Sequence, residues 1–171
     1  NRRFTTDLNH AFSQDFAFRT NALYENSDSF RNFVGFERYG VNPTMSWTLA
    51  DNTRLTGSYE FFRDRRVADR GIPSFQLRPA DTPIETYFGN PGDSHVRATV
   101  NLASATLEHV VGRFSIRNRT LFGDYDRFYQ NYVPGAVTAD KTKVALTSYN
   151  NATNRRNLFN QTDTTFYLNT G

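Results

Sequence analysis

Arg38-Tyr39-Gly40-Val41-Asn42-Pro43-Thr44-Met45-Ser46-Trp47-Thr48-Leu49, then Ala50-Asp51-Asn52-Thr53, then Arg54-Leu55-Thr56-Gly57-Ser58-Tyr59-Glu60-Phe61, reads as strand, tight turn, strand. The odd positions from Tyr39 to Leu49 are apolar or aromatic, and the even positions from Arg38 to Thr48 are polar or small. A two-residue period describes a strand lying between two unlike environments. Asp51 and Asn52 tolerate the backbone that a hairpin turn needs. Beyond the turn Leu55, Gly57, Tyr59 and Phe61 face one way, and Thr56, Ser58 and Glu60 the other. What the apolar face touches, a protein core or lipid, decides the fold.

Composition favours lipid. Of the 171 residues 37% are hydrophobic, yet 15% are aromatic. A soluble core is built mainly from aliphatic residues, whereas a transmembrane β-wall combines an apolar outer band, aromatic girdles and a polar interior. No apolar run exceeds three residues, so no helix of this chain spans a bilayer. The mean hydropathy of −0.66 is compatible with membrane strands, because half their residues face water. With no cysteine there is no disulfide framework and no thiolate metal site. The formal charge is +3, and the arginines are dispersed rather than gathered into a basic stripe, which argues against a nucleic-acid partner. The chain starts at Asn1 in strand-like sequence, so it reads as a mature segment or a piece of a longer protein rather than as a cytoplasmic one.

The same alternation extends outward from the hairpin. Phe4, Thr6, Leu8, His10 and Phe12 form one face of a first strand, and Phe16, Phe18, Thr20, Ala22 and Tyr24 one face of a second. Ser27 to Phe36 reads as a loop, and Arg63 to Ser94, with four prolines, as a long irregular one of the functional or disordered kind. The fifth strand runs from Val96 to Val110. Its apolar phase moves from even positions (Val96, Val100, Leu102) to odd ones (Ala105, Leu107), which predicts a bulge near Ser104. The sixth strand runs from Phe114 towards Tyr129, and Asn131 to Asp140, with Pro134-Gly135, reads as a loop. The seventh starts near Lys143 and extends towards Leu168, and Asn169-Thr170-Gly171 reads as a turn. Short turns near residues 13, 51 and 112 thus alternate with long loops near 30, 80 and 135. In an up-and-down sheet all the short turns then lie at one edge, which is the pattern of outer-membrane barrels. The expectation is an all-β fold: an antiparallel up-and-down transmembrane β-barrel wall of about seven strands. Seven is odd and leaves two edges open, so residues 1–171 are expected to be part of a larger barrel.

Nothing in the chain predicts catalysis. His10, His95 and His109 lack metal-site spacing, and no nucleophile-elbow sequence occurs. Triplets such as Asn118-Arg119-Thr120 match a glycosylation pattern that is common by chance. Arg19, Arg38, Glu60, Arg117 and Arg119 fall on the polar face and are expected to form a charge ladder along the interior wall. Two segments combine arginine with aromatic residues, the Arg63–Ser94 loop and Tyr125 to Tyr132. Guanidinium groups pair with anions and rings stack on flat ligands, so Arg66, Arg70, Tyr87, Phe88, Arg127, Tyr129 and Tyr132 are the candidate binding residues. The competing reading is that these arginines pair with Asp64, Asp69, Asp124 and Asp126 and only order the loops. No metal ligand is assigned.

Four stretches carry a resemblance: Glu37-Arg38-Tyr39-Gly40-Val41-Asn42-Pro43-Thr44-Met45-Ser46-Trp47, Asp69-Arg70-Gly71-Ile72-Pro73-Ser74, Asp124-Tyr125-Asp126-Arg127-Phe128-Tyr129-Gln130-Asn131 and Tyr149-Asn150-Asn151-Ala152-Thr153. In this order they resemble the barrel of TonB-dependent siderophore receptors of the ferric-catecholate kind. Pro43 is otherwise unexplained, since a proline inside a strand sacrifices a ladder bond; the family carries one there. The resemblance implies a 22-stranded barrel in the bacterial outer membrane, with an N-terminal plug domain that this chain lacks. It implies uptake of a ferric siderophore as transported ligand, energised by the TonB complex through the missing N-terminal part. The expected partners are therefore the siderophore, that complex and the lipid bilayer, with no directly bound cofactor, no nucleic acid and no enzymatic role. A passive porin-like barrel and a soluble β-rich binding module are the alternatives.

Overall fold

The structure, a computed structural model, describes residues 1–168. The turn expected at 169–171 lies outside them. The described residues form nine strands: β1 (Arg2–Ala11), β2 (Phe16–Asp28), β3 (Gly35–Ala50), β4 (Thr53–Arg66), β5 (Ser74–Phe75), β6 (Arg78–Pro79), β7 (His95–Val111), β8 (Phe114–Val137) and β9 (Val144–Phe166). Seven of them make one antiparallel sheet in the order β1-β2-β3-β4-β7-β8-β9, and β5 pairs with β6 alone.

Pairing keeps the two faces apart across the whole sheet. Phe4 lies opposite Tyr24, Tyr24 opposite Tyr39, Trp47 opposite Leu55, and Leu55 opposite Leu107. The apolar residues of successive strands therefore share a face. Among the described residues Ala68 is the one buried apolar side chain. Phe4, Leu8, Trp47 and Leu158 are each more than half exposed. Leaving such side chains in water forfeits roughly 1.5–3 kcal/mol apiece. A single layer of this kind needs an apolar medium against that face, whereas a soluble sandwich would cover it with a second sheet.

A polar cluster interrupts the apolar band between β8 and β9. Asn118 and Thr120 of β8 face Asn160 and Thr162 of β9, and the two amides bond to each other and to both hydroxyls at 2.7–3.2 Å. The opposite face carries the charge ladder in part: Arg19 with Asp7 at 2.6 Å, Arg38 with Glu25 at 2.7 Å and Arg117 with Glu108 at 3.5 Å. Glu60 and Arg119 face the same way without an ion pair among the described residues.

Pro43 acquires a local explanation. The β3–β4 ladder runs through Thr44–Ser58 and resumes at Val41–Phe61, so Pro43 falls where it would face Tyr59. Proline has no N–H to give. The Asn42 side-chain amide donates instead to the Tyr59 carbonyl at 3.1 Å.

Three expectations need correction. The register of β7 against β4 and β8 runs unbroken through Ser104, so the predicted bulge is absent. The apparent phase change arises because β7 carries aliphatic residues on both faces, Val100 and Leu102 on the polar side and Ala105 and Leu107 on the apolar side. The loop expected at 131–140 is mostly strand. Pro134-Gly135 is absorbed by an irregularity between Pro134 and Val137, and only 138–143 connects β8 to β9. The loop expected from Ser27 to Phe36 shrinks to 29–34 for the same reason, continued pairing up to Asp28–Gly35. The connections 12–15, 51–52 and 112–113 do lie at one edge and 29–34, 67–94 and 138–143 at the other, as the antiparallel order requires.

Candidate ligand-binding surface

The loop between β4 and β7 is held by a residue outside it. Arg31 donates to the carbonyls of Ile84 and Thr86 at 3.0 and 2.9 Å and pairs with Asp69 at 2.7 Å. The Arg31 side chain is buried, so these charge-assisted bonds are made away from bulk water. Within the loop β5 and β6 form a minimal hairpin whose tip residues, Gln76 and Leu77, have φ of 50° and 63°. Both central residues at positive φ give the turn hand that suits a two-residue hairpin, at a steric cost for non-glycine residues.

Next to the Asp69 anchor the chain turns. The Gly71 amide donates to the Asp69 carboxylate at 2.9 Å, and Gly71 itself takes a φ of 81°. That turn presents Arg70 over the polar face of the sheet. Its guanidinium donates to the Tyr149 hydroxyl at 2.7 Å and lies 5.9 Å from the centre of the same ring. The Tyr129 ring meets Tyr149 edge-on, with centroids 5.6 Å apart. Two positions along β8 from Tyr129, on the same face, is Arg127, exposed and without an ion pair among the described residues. One step further Tyr125 lies under Arg155, 5.1 Å from its ring centre. Three arginines and three tyrosines thus share the polar face at the long-loop end.

Of the candidate residues, Arg70, Arg127 and Tyr129 come together there. The other four do not. Arg66 pairs with Asp64 at 2.9 Å at the base of the loop. Tyr87 donates to the Ala68 carbonyl at 2.9 Å, and burial raises its phenol pKa. Phe88 lines a cavity of about 150 Å³ with Phe75 and Lys141. Tyr132 points to the other face of β8 and donates to Asp93 at 2.6 Å. Asp69, Asp124 and Asp126 pair with Arg31, Arg156 and Arg97, so the loop-ordering role falls largely to arginines other than the candidates. Tyr125, Tyr149 and Arg155, which complete the cluster, are not among the candidates. Alternation alone would have placed Tyr149 on the same face as Arg155, but not beside Arg70.

No protein-family model matches the chain. The metal-pseudopaline receptor CntO of Pseudomonas aeruginosa is 33% identical over 109 residues, 63% of this chain and 15% of that protein. The catecholate siderophore receptor Fiu of Escherichia coli K12 is 27% identical over 159 residues, 84% of this chain and 20% of Fiu. The crystal structure of Fiu in its open form superposes with a TM-score of 0.87 at 24% identity, covering 99% of this chain and 30% of that one. PiuA of Acinetobacter baumannii, named as a TonB-dependent siderophore receptor, is 26% identical over 131 residues, 71% of this chain and 18% of PiuA. The chain spans no more than a fifth of the length of these curated relatives. In sequence and in strand topology, the chain resembles part of the barrel wall of TonB-dependent siderophore receptors.

Proposed function

We propose that the chain is a section of the wall of an outer-membrane receptor that takes up a ferric siderophore, energised by the TonB complex. The apolar face lies against lipid and the polar face lines the lumen. The plug and the contact with TonB belong to parts of the protein outside these residues. The ferric chelate is cargo, the protein needs no resident cofactor, and it is a transporter component rather than an enzyme.

The observation that carries this reading is the arginine–tyrosine cluster on the lumenal side of the long-loop end. A ferric tris-catecholate is anionic and presents flat rings. Arg70 and Arg127 would pair with its charge, and Tyr129 and Tyr149 would give it ring contacts. The polar, water-filled lumen of a passive pore gives no reason to place rings beside the guanidinium groups.

The test is equilibrium binding of a ferric catecholate to the intact protein with Arg70 and Arg127 each changed to Ala. A hydrogen bond to a charged group contributes about 1.5–3 kcal/mol, so each change is expected to weaken binding by about tenfold to a hundredfold. Wild-type affinity in the double variant would reduce these arginines to loop-ordering residues and remove the support for the site.

A further inference from the structure

The amide cluster of β8 and β9 lies where a barrel wall meets lipid tails. On the apolar face Phe114 stands opposite Phe166, with ring centres 4.5 Å apart, next to the short turn at 112–113. Further along Phe122 stands opposite Leu158, and beyond it Asp124 pairs with Arg156 at 3.3 Å. The stretch of tilted strand from Phe114 to Phe122 rises about 20 Å, within the roughly 25 Å apolar band of such walls. The window between these two rows therefore falls in hydrocarbon. It holds Asn118 and Thr120 from β8 and Asn160, Thr162 and Thr164 from β9, and Ile116 is the one apolar side chain among them. The three β9 residues are exposed. Lipid tails offer these groups neither donor nor acceptor.

The cluster satisfies itself only in part. Each amide uses both of its N–H groups within it, one on the other amide's oxygen and one on a threonine hydroxyl. Each amide oxygen accepts one of these bonds and keeps a second lone pair. The Thr120 and Thr162 hydroxyls accept, but their own hydrogens reach no acceptor among the described residues. Two donors and two acceptors thus remain on the lipid side of the wall. Beside the window the surface is shallow, since Thr120 lies opposite Ala105 and Ala105 opposite Gly57. Small side chains let a second transmembrane element approach closely.

We propose that a second copy of the protein docks on this window within the membrane. The spare groups complement themselves: two hydroxyl hydrogens for two amide oxygens. A two-fold rotation about the membrane normal, on an axis between β8 and β9, keeps every residue at its depth and sets β8 of each copy against β9 of the other. Thr120 and Thr162 of one copy then meet Asn160 and Asn118 of the other. The same rotation sets Asp124 of one copy against Arg156 of the other. The window itself carries no charge, so two copies do not repel there. A different membrane protein would need matching groups at the same depth, which a second copy brings by symmetry. The inference depends on the apolar face meeting lipid and is independent of which chelate is imported.

The experiment is Förster transfer between donor-labelled and acceptor-labelled copies of the intact protein in bilayers, followed as lipid is added. Wild-type transfer is expected to stay above the level for random mixing as the protein is diluted. Asn118→Leu with Asn160→Leu makes the window apolar and should weaken association by about tenfold or more, as the loss of the bonds between copies implies. Thr164→Trp leaves the amide network intact and places a ring beside the Phe114–Phe166 pair; by obstruction alone it should lower transfer as well. Wild-type transfer no higher than random mixing would overturn the proposal, and needs no variant to be folded. So would unchanged association in both variants. A protein that does not enter the bilayer would remove the lipid-facing assignment and this inference with it, whereas an inserted but monomeric protein would overturn the inference alone.

Discussion

Changing Met45 to Arg should destabilise the wall by about 2–4 kcal/mol, if the site lies near the bilayer midplane, and the same change at Ser46 should cost far less. The two residues are neighbours, so chain position and strand propensity are matched. They differ in what they face. Met45 is opposite Phe18 on one side and Gly57 on the other, and its Cγ lies at contact distance, 3.6 Å, from where a Cβ on Gly57 would sit. A guanidinium there would sit beside Phe18, Trp47 and lipid, with no carboxylate opposite it on either neighbouring strand. Ser46 is opposite Ala17 and Thr56 on the polar face, where a guanidinium stays hydrated. The assay is reversible urea unfolding of the intact barrel in lipid vesicles, followed by tryptophan fluorescence and by the shift in barrel mobility on gels. Equal losses at the two positions would refute the assignment of faces, and with it the claim that the apolar side meets lipid.

The orientation predicts that, in whole cells, a thiol reagent reaches a cysteine placed at Ala80 but not one placed at Asp51; labelling at Asp51 without permeabilisation would reverse the sheet. Arg31→Ala leaves the Ile84 and Thr86 carbonyls and the Asp69 carboxylate without their donor. Losing one charge-assisted bond, at about 1.5–3 kcal/mol, should raise opening of the 67–94 loop by about tenfold to a hundredfold. Limited trypsinolysis at Arg70 would report it, and an unchanged cleavage rate would count against Arg31 as the anchor. Asn160→Ala removes the donor to Asn118 and Thr120 on the apolar face, and should cost about 1–3 kcal/mol in the same unfolding assay. Asn154→Ala, outside that network, should be near neutral, and similar effects at the two sites would mean that the amide cluster does not stabilise β8 against β9.

The first four strands of the sheet are legible in the sequence because each of their faces has its own chemistry. Phe16, Phe18 and Tyr24, or Val41, Met45 and Trp47, can occupy only one side of a pleat. Strand β7 lacks that contrast, and its aliphatic residues on both faces imitate a change of phase. Pro134-Gly135 resembles a turn locally, but pairing with β9 outweighs the lost backbone donor and carries the strand on to Val137. Turn residues report local preference, whereas the length of a hairpin depends on both of its arms. The site was legible to the extent that it lies within one segment, since Arg127 and Tyr129 sit two residues apart on one strand. Tyr149 is 79 residues from Arg70, and Arg31 is 53 from Ile84. Only the order of strands brings those partners together, and no composition or spacing encodes it.

The most direct test of the account is uptake of a radioiron catecholate by cells that express the intact protein, with and without a functional TonB complex. The account predicts saturable uptake that needs the complex and falls when Arg70 and Arg127 are both replaced by Ala. Uptake that persists without the complex and rises in proportion to concentration would contradict it, and would make the wall that of a passive pore.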